Sequence, residues 1–330
     1  MRRREFITVM GGAAATAAVA PQAARAQPAM PVIGFLNAAT SETYAHRLRG
    51  FHAGLKDTGY VEGENLAIVY RWANNQMDRL PEMADDLVRR KVALIVAGTG
   101  TLAALAAKAA TSTTPIVFLA SEDPVRAGLV ASIARPGGNM TGVNFFNAEL
   151  NAKRLEILHQ FVPTATRIAV LVNPANSTNY ETVLRDLEPS ARAIGLQTQV
   201  LNASNSREID AAFSAIGRER PDALFVSGDN LFNNRRLQLA LLAARHAVPA
   251  SYSSRDYPEY GGLMSYGANV TEAFRQAGVY VGRILKGAKP AELPILQASK
   301  LELVINAQTA RVLGLSIPPT LLSTADEVIE

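Results

Sequence analysis

Cysteine is absent from the 330-residue sequence, which also contains only four histidines and one tryptophan. Without cysteine, the chain can form no disulfide bond, thiolate nucleophile or cysteine-ligated metal site, and it lacks the acylated cysteine of bacterial lipoproteins. The histidines, His46, His52, His159 and His246, show no metal-ligand spacing. A Walker-type phosphate-binding loop is also missing. We therefore expect neither a bound metal nor an organic cofactor.

A strong excess of one charge is also lacking once residues 1–26 are set aside. The formal net charge of the whole chain is +4, of which Arg2, Arg3, Arg4 and Arg25, opposed by Glu5, supply +3. The remaining charge of +1 gives no electrostatic footprint for a nucleic acid, which requires a strongly basic surface. We therefore expect no nucleic-acid partner.

The N-terminus carries the features of an export signal. Three arginines lead into an apolar, Ala-rich run from Thr8 to Ala20, which is shorter than the ~20 residues of a membrane-spanning helix. The small-x-small pattern Ala24 to Ala26 follows it. Twin arginines before x-Phe-Ile are similar to a twin-arginine signal, although the general secretory route stays open. The sequence predicts a signal peptide of residues 1–26, cleaved after Ala26, and a free periplasmic protein.

The mature chain alternates short apolar runs with helical patterns. In residues 114–146, the buried strand pattern Pro115–Ala120 is followed by a polar loop, and Pro124 is placed to begin a short helix. Gly137 and Gly138 then precede a second extended run. Strands and helices that alternate at this spacing indicate parallel sheets. We predict an α/β fold of two doubly wound parallel-sheet lobes, with residues 114–146 leading from one to the other.

Polar loops follow the predicted strands, and most of them lead into a helix. Ligands of open parallel sheets bind beyond the carboxyl ends of the strands, where helix N-termini favour a carboxylate. Asp123 or Asp229 is placed to meet an ammonium group, so that an amino acid fits, and Phe145 is placed to wall a pocket. The alternative for each polar residue is a helix cap alone, and the alternative for Phe145 is core packing. The candidate ligand-binding residues are Asn37, Thr99, Gly100, Ser121, Asp123, Phe145, Asn173, Asn176, Ser177, Asp229 and Ser253.

Two segments suggest other chemistry. Gly98 to Ala103 fits the Gly-x-Gly-x-x-Ala pattern of dinucleotide-binding folds, but it follows the third predicted strand, and an exported protein meets little NAD. The segment Gly262–Gly267 fails the Gly-x-Ser-x-Gly pattern of hydrolases, because Leu263 takes the place of the first glycine. No nucleophile and base are identifiable as a pair. We therefore predict no catalysis, and the alternative is a secreted α/β enzyme that uses the same cleft.

Three groups of motifs, in order along the chain, resemble one known family. They are Asp123–Val130 with Ala134–Gly142, then Gly261–Gly267, and finally Leu313–Leu315 with Ile317–Pro319 and the ending Ala325–Glu330. With them, the mature chain is similar over essentially its whole length to the ABC-transporter substrate-binding proteins of the tryptophan/tyrosine type. Members of that family have the type I periplasmic-binding-protein fold.

The resemblance implies a ligand cleft between two lobes and no catalysis. It implies a small carboxylate-bearing ligand, such as an aromatic or other amino acid, and a monomer whose partners are an ABC permease and an ATPase at the inner membrane. The expected lobes are residues 31–143 with about 267–298, and 144–266 with about 299–330. The hinge is expected near Thr141 to Phe146, Gly267 and Ser299. Transcriptional regulators use the same fold, but an export signal and no helix-turn-helix precedes the first strand here.

Overall fold

The computed structural model describes residues 30–41, 44–74, 76–98, 100–145, 150–298 and 300–330. The predicted signal peptide lies outside the described residues, and so do the candidate Thr99 and the expected hinge residues Phe146 and Ser299. Residues 31–330 form one compact unit. Among the helices in these ranges, none has both the length and the apolar composition of a membrane-spanning helix.

The described strands and helices alternate along most of the chain. The strands are β1 (Val32–Asn37), β2 (Ala67–Trp72), β3 (Ile95–Ala97), β4 (Ile116–Ala120), β5 (Met140–Asn144), β6 (Arg167–Val172), β7 (Gln197–Asn202), β8 (Ala223–Val226), β9 (Ala250–Tyr252), β10 (Met264–Ala268), β11 (Leu296–Gln297), β12 (Leu301–Asn306) and β13 (Glu327–Ile329). The helices are α1 (Ala45–Asp57), α2 (Leu80–Arg89), α3 (Gly100–Ala110), α4 (Asn151–Phe161), α5 (Ser177–Ala193), α6 (Ser206–Glu219), α7 (Asn230–Asn234), α8 (Arg236–Arg245), α9 (Asp256–Glu259), α10 (Val270–Leu285), α11 (Ala307–Val312) and α12 (Pro319–Thr324).

The first sheet has the strand order β11-β5-β4-β3-β1-β2, and all of these neighbouring strands are parallel. Every residue of β4 is buried, as expected of a parallel strand in a sheet that is covered on both faces. Side chains of α1 and α10 pack on one face of the sheet, and those of α2 and α3 pack on the other. We call this sheet and its helices the first lobe.

The second sheet has the order β13-β12-β10-β9-β8-β6-β7. Helices α6 to α9 cover one face, and α4, α5, α11 and α12 cover the other; this is the second lobe. Its strands are parallel except that β12 runs antiparallel to β10, because β12 is reached from β11 of the first lobe and not through a crossover helix. The predicted α/β fold of two doubly wound lobes is confirmed, with one sheet mostly and not wholly parallel.

The segment after β4 differs from the prediction. Pro124 begins no helix, because residues 124–128 form turns closed by hydrogen bonds from the Ala127 N–H to the Asp123 oxygen (2.9 Å) and from the Leu129 N–H to the Pro124 oxygen (2.9 Å). Gly128 follows with a φ of +70°, a left-handed conformation that ends helical winding. The expected short helix is therefore wrong.

Helix α10 comes from late in the chain but packs tightly on α1. A Cβ atom at Gly54 would lie 1.8 Å from the Arg275 oxygen, and one at Gly278 would lie 2.3 Å from the Phe51 oxygen. Only glycine lets two helix backbones approach this closely. The chain passes between the lobes after β5, after β10 and after β11.

Candidate functional site

The strand order of both sheets reverses at a point that predicts the site. Five strands of the first lobe run β2-β1-β3-β4-β5, and five of the second run β7-β6-β8-β9-β10. In such sheets, ligands bind beyond the carboxyl ends of the two strands where the order reverses. We therefore expect a site between the lobes. Its lining should come from the residues that follow β1 and β3 in the first lobe and from those that follow β6 and β8 in the second.

A cavity lies at this position and takes its lining from both lobes. We call it the inner cavity. In the arrangement described, its volume is about 20 Å³, which is room for about one water molecule. Its lining residues are Tyr44, Arg47, Gly98, Gly100, Ser121, Phe145, Gly228, Asn230, Asn233, Ser253, Ser254, Val270 and Phe274.

Aromatic rings of the first lobe form one wall of the inner cavity. The Tyr44 ring packs edge-on against Phe274, with 5.9 Å between ring centroids, and lies tilted against Trp72 at the same separation. Phe145 lines the cavity and is half-buried. Aromatic pairs favour such offset or edge-on geometry. The wall therefore suits a flat, apolar group.

Arg47 is the buried cation of the inner cavity, with 7% of its surface exposed. Its Nη2 donates to Asp256 Oδ2 of the second lobe at 2.6 Å, and its guanidinium lies 4.7 Å from the Tyr44 ring centre. Burial alone lowers the pKa of Arg47, but the Asp256 carboxylate outweighs it and holds that pKa above its ordinary range. Arg47 therefore stays charged and ties the two lobes together.

The acid partner of Arg47 is held by the same contact. Asp256 is 2% exposed, and its Oδ1 lies 3.1 Å from His46 Nε2. Burial alone raises the pKa of Asp256, whereas Arg47 and His46 lower it, and the net result is a pKa well below the ordinary range. Both carboxylate oxygens thus face side chains of the first lobe.

Some of the buried polar atoms that lack a hydrogen-bond partner in the described residues lie around the inner cavity. Among the described residues, Arg47 Nε, Asn37 Nδ2 and Asn233 Oδ1 have no hydrogen-bond partner. Asn37 lies under Gly98, where an added Cβ would come within 3.1 Å of its Nδ2, and its Oδ1 accepts from the Ala39 N–H at 2.8 Å. Unpaired buried polar atoms are uncommon because each one costs free energy. Arg47 and Asn233 line the cavity itself, so one donor and one acceptor are available there to a polar ligand.

A second and larger space, the outer groove, also takes lining from both lobes. Its volume is about 620 Å³. Apolar side chains such as Leu102 and Leu105 line it beside polar loops. Its lining residues are Met77, Thr101, Leu102, Leu105, Glu122, Arg126, Ala127, Asn173, Ala175, Asn176, Ser177, Ser204, Asn205, Ser206, Asp229, Asn230, Leu231, Asn234 and Arg235.

The polar groups of the outer groove bind one another. Asp229 Oδ1 accepts from Asn173 Nδ2 (3.0 Å) and from the Leu231 N–H (2.8 Å), so Asp229 caps α7. Asn176 Nδ2 donates to Asp229 Oδ2 (2.9 Å) and, across the lobes, to Glu122 Oε1 (2.8 Å). Thr101 donates to the other Glu122 oxygen. This network links the lobes and satisfies its own members.

The structure divides the residues that the sequence singles out. Gly100, Ser121, Phe145 and Ser253 line the inner cavity, whereas Asn173, Asn176, Ser177 and Asp229 line the outer groove. Asn37 lies beneath the cavity. Asp123 accepts from the Val125 N–H (2.8 Å) and the Arg126 N–H (3.2 Å) in its own turn, and Thr99 lies outside the described residues. The assignment of a ligand ammonium to Asp123 or Asp229 stays a prediction.

Several lining residues escape the sequence analysis. Arg47 occupies a position in α1 that reads as a charged helix face, and Phe274 occupies the apolar stripe of α10, which reads as core. Asn233 lies on α7 beyond the predicted loop of residues 228–230, and Asn230 is the last residue of that loop. The alternation of elements alone cannot bring α1, α7 and α10 to one cavity.

Comparison with known proteins assigns the family. The family model described as ABC transporter substrate binding protein matches residues 33–329. A tyrosine-binding protein of Clostridioides difficile (strain R20291) is 29% identical over 267 residues, which cover 81% of this chain and 76% of the relative.

Two solved structures are similar over 91% of this chain and 99% of their own, at 26% identity. One is an ABC domain in complex with L-Trp from Streptococcus pneumoniae, with a TM-score of 0.83. The other is the ligand-free, open structure of a substrate-binding protein with adhesive properties from Clostridium difficile, with a TM-score of 0.67. The resemblance read from the motifs is confirmed, and the chain belongs to the ABC-transporter substrate-binding proteins.

Proposed function

We propose that this protein is the exported solute-binding component of an ABC importer and that it captures an aromatic amino acid between its lobes. The observation that carries the proposal is the inner cavity, which combines an aromatic wall with one buried donor and one buried acceptor that lack partners among the described residues. The tyrosine-binding relative and the L-Trp complex support the same ligand class.

The chemistry of the cavity fits each part of such a ligand. The ring of the amino acid packs against Tyr44, Phe145 and Phe274, where burial of an aromatic side chain is worth about 1.5–3 kcal/mol. Its carboxylate takes donors at the start of α3 and from nearby hydroxyl groups such as Ser121 and Ser253. The Asn233 oxygen is available to the ammonium group.

Ligand capture by lobe closure follows from the bridging contacts. Arg47 with Asp256, and Glu122 with Asn176, join the lobes on two sides of the cleft. The better fit to the L-Trp complex than to the open structure, at equal sequence identity, supports a closed arrangement. Since the inner cavity is smaller than an amino acid, the lobes must separate for the ligand to bind. A ligand that contacts both lobes then favours closure by its differential affinity.

The hinge and the lobe boundaries belong to the same proposal. We expect the hinge near residues 141–146, Gly267 and Ser299. The lobes would then be residues 31–143 with about 267–298, and 144–266 with about 299–330. Swivelling at three crossing segments leaves each sheet intact, so that only the contacts across the cleft change.

Location and partners complete the proposal. The leader of residues 1–26 directs the chain to the periplasm by the twin-arginine route, and cleavage after Ala26 leaves a protein without a lipid anchor. The monomer delivers its ligand to an ABC permease and ATPase at the inner membrane and performs no catalysis. Fractionation of cells that express the full chain tests this, since retention of the mature protein in the cytoplasm contradicts it.

A thermal-shift series tests the ligand class. The mature protein is titrated with L-tryptophan, L-tyrosine and L-phenylalanine, and with L-leucine, L-glutamate and a sugar as comparisons. A ligand at 100 times its dissociation constant stabilises the folded state by about 2.7 kcal/mol, which raises the melting temperature by about 4 °C for a folded chain of about 300 residues. We expect the shift for aromatic amino acids. The absence of a shift with all three aromatic amino acids would contradict the proposal. Turnover of a bound compound would favour the alternative of a secreted enzyme.

A further inference from the structure

Arg47 uses only part of its hydrogen-bonding capacity. Its Nη2 bonds to Asp256, while its Nε is buried and has no partner among the described residues. The guanidinium has five N–H donors in one plane and matches a carboxylate well. Because a buried donor without an acceptor costs free energy, the position favours a ligand that supplies an acceptor.

Arg47 also lies where such a ligand would sit. It lines the inner cavity together with Ser121 and Phe145 of the same lobe and Ser253 of the opposite lobe. Its guanidinium stands 4.7 Å from the centre of the Tyr44 ring, which restricts its rotation about the side chain. A fixed guanidinium loses less entropy when it binds a carboxylate than a free one does.

The second lobe holds this guanidinium in place. Asp256 lies at the start of α9, its Oδ2 bonds to Arg47 at 2.6 Å, and its Oδ1 faces His46 at 3.1 Å. These contacts exist only while the lobes are together. The orientation of Arg47 in the cavity is therefore set by a residue that belongs to the other side of the cleft.

We propose that Arg47 binds the carboxylate of the ligand and that Asp256 is a positioning residue that orients Arg47 from the opposite lobe. This rests on the proposed function and deepens it, because one side chain then takes part in both ligand capture and lobe closure. A compound without a carboxylate leaves the Arg47 donor unpaired and stabilises the closed arrangement less.

The test separates the carboxylate contact from general damage to the cleft. The variants are Arg47→Ala, Arg47→Lys and Asp256→Asn, and the matched control is Arg49→Ala, which removes an exposed arginine from the same helix. Calorimetric titration of each variant uses L-tryptophan, indole-3-propionate, which lacks the ammonium group, and tryptamine, which lacks the carboxylate.

We expect Arg47→Ala to weaken the binding of all three compounds through the lost bridge to Asp256, and to weaken that of L-tryptophan and indole-3-propionate by about 30-fold more than that of tryptamine. Arg47→Lys keeps the charge but loses the planar fork, so it should recover part of the affinity. Asp256→Asn should also weaken the binding of all three compounds, with a smaller excess loss for the two carboxylates than Arg47→Ala gives. Arg49→Ala should bind all three as the unaltered protein does.

Equal losses for L-tryptophan and tryptamine in Arg47→Ala would overturn the carboxylate contact, because Arg47 would then act through closure alone. A loss in Asp256→Asn that falls equally on all three compounds would overturn the positioning role. Thermal melts of each variant without ligand identify misfolding. If Arg47→Ala is misfolded, the comparison of L-tryptophan with tryptamine is made with Arg47→Lys. If the unaltered protein binds no aromatic compound, the proposed function fails, and that result is distinct from binding that ignores Arg47.

Discussion

The inner cavity and the outer groove lie along the same cleft, but they treat their polar groups differently. In the outer groove, Asp229 accepts from Asn173 and Asn176, and Asn176 also reaches Glu122 across the cleft. Around the inner cavity, Arg47 Nε and Asn233 Oδ1 have no partner among the described residues. Polar groups of the outer groove thus bind one another, whereas some around the inner cavity have no partner in the described part of the chain.

This difference in hydrogen bonding separates groups that can bind a ligand from groups that only hold the lobes together. A polar group that is already satisfied gains little from a ligand, whereas an unsatisfied buried group gains the free energy of a missing hydrogen bond. Aromatic walls add to this at the inner cavity, where Tyr44 and Phe274 pack together. Substitutions in the inner cavity should therefore change affinity, and those in the outer groove should mainly change stability and closure.

The largest effect is expected on the free energy of unfolding, either when the pH is lowered or when Asp256 is replaced by Asn. The lowered pKa of Asp256 means that its contribution to stability is present above the ordinary Asp value of about 3.9 and is lost as the pH falls through the folded-state pKa. Removal of one partner of a buried pair costs about 3–5 kcal/mol. Urea unfolding from pH 7 to 3 should show a steeper loss for the unaltered protein than for Asp256→Asn, and parallel curves would refute this role.

The second largest effect is expected from Phe145→Ala, which should lower the affinity for the ligand. The contact of an aromatic ligand with Phe145 is worth about 1.5–3 kcal/mol, so its removal should weaken the binding of an aromatic amino acid by about 10- to 100-fold. The half-buried side chain should cost less in the stability of the free protein. Leu102→Ala is the control, since Leu102 is 51% exposed and lines the outer groove. If Leu102→Ala has the larger effect on affinity, the ligand sits in the groove.

Asp229→Ala should act mainly on stability. Loss of the α7 cap and of a buried acceptor costs about 1–3 kcal/mol of unfolding free energy. Asn205→Ala removes the cap of α6, which accepts from the Glu208 N–H at 3.1 Å, and controls for capping alone. Unfolding and ligand titration are measured together. An affinity loss of about 30-fold in Asp229→Ala that requires the ligand's ammonium group would instead establish Asp229 as the ammonium partner.

Glu122→Ala should give the smallest effect. It removes the bond to Asn176 across the cleft, and one hydrogen bond is worth about 0.5–1.5 kcal/mol. We expect affinity to fall by about 2- to 10-fold, and small-angle scattering should show a larger radius of gyration at low ligand concentration. Asp123→Ala is the neighbouring control, because Asp123 bonds within its own turn. A loss for Asp123→Ala that depends on the ammonium group would favour the sequence prediction for that residue.

The fold was open to prediction because it depends on local patterns. The buried run Ile116–Ala120 forms β4 as expected, and Asn173 and Asp229 follow strands at the carboxyl edges. The turn at Pro124 was misread because Gly128, four residues on, stops the winding.

The site was less predictable because its contacts join distant parts of the chain. Arg47 and Asp256 are separated by 209 positions, and no local pattern in the sequence pairs them. Phe274 looks like a core residue in α10, and it becomes a cavity wall only because α10 returns to the first lobe. Nor can composition show that Asp229 is already satisfied by Asn173 and Asn176.

The return of α10 and β11 to the first lobe has a consequence for how the protein is made. Strand β11 completes the first sheet, whose other strands end at Asn144. Helix α10 covers the core of this lobe through its close packing on α1 at Gly54 and Gly278. A ribosome must therefore release nearly the whole polypeptide before this lobe can fold. Until then, its early strands carry an uncovered apolar face of the kind that chaperones bind.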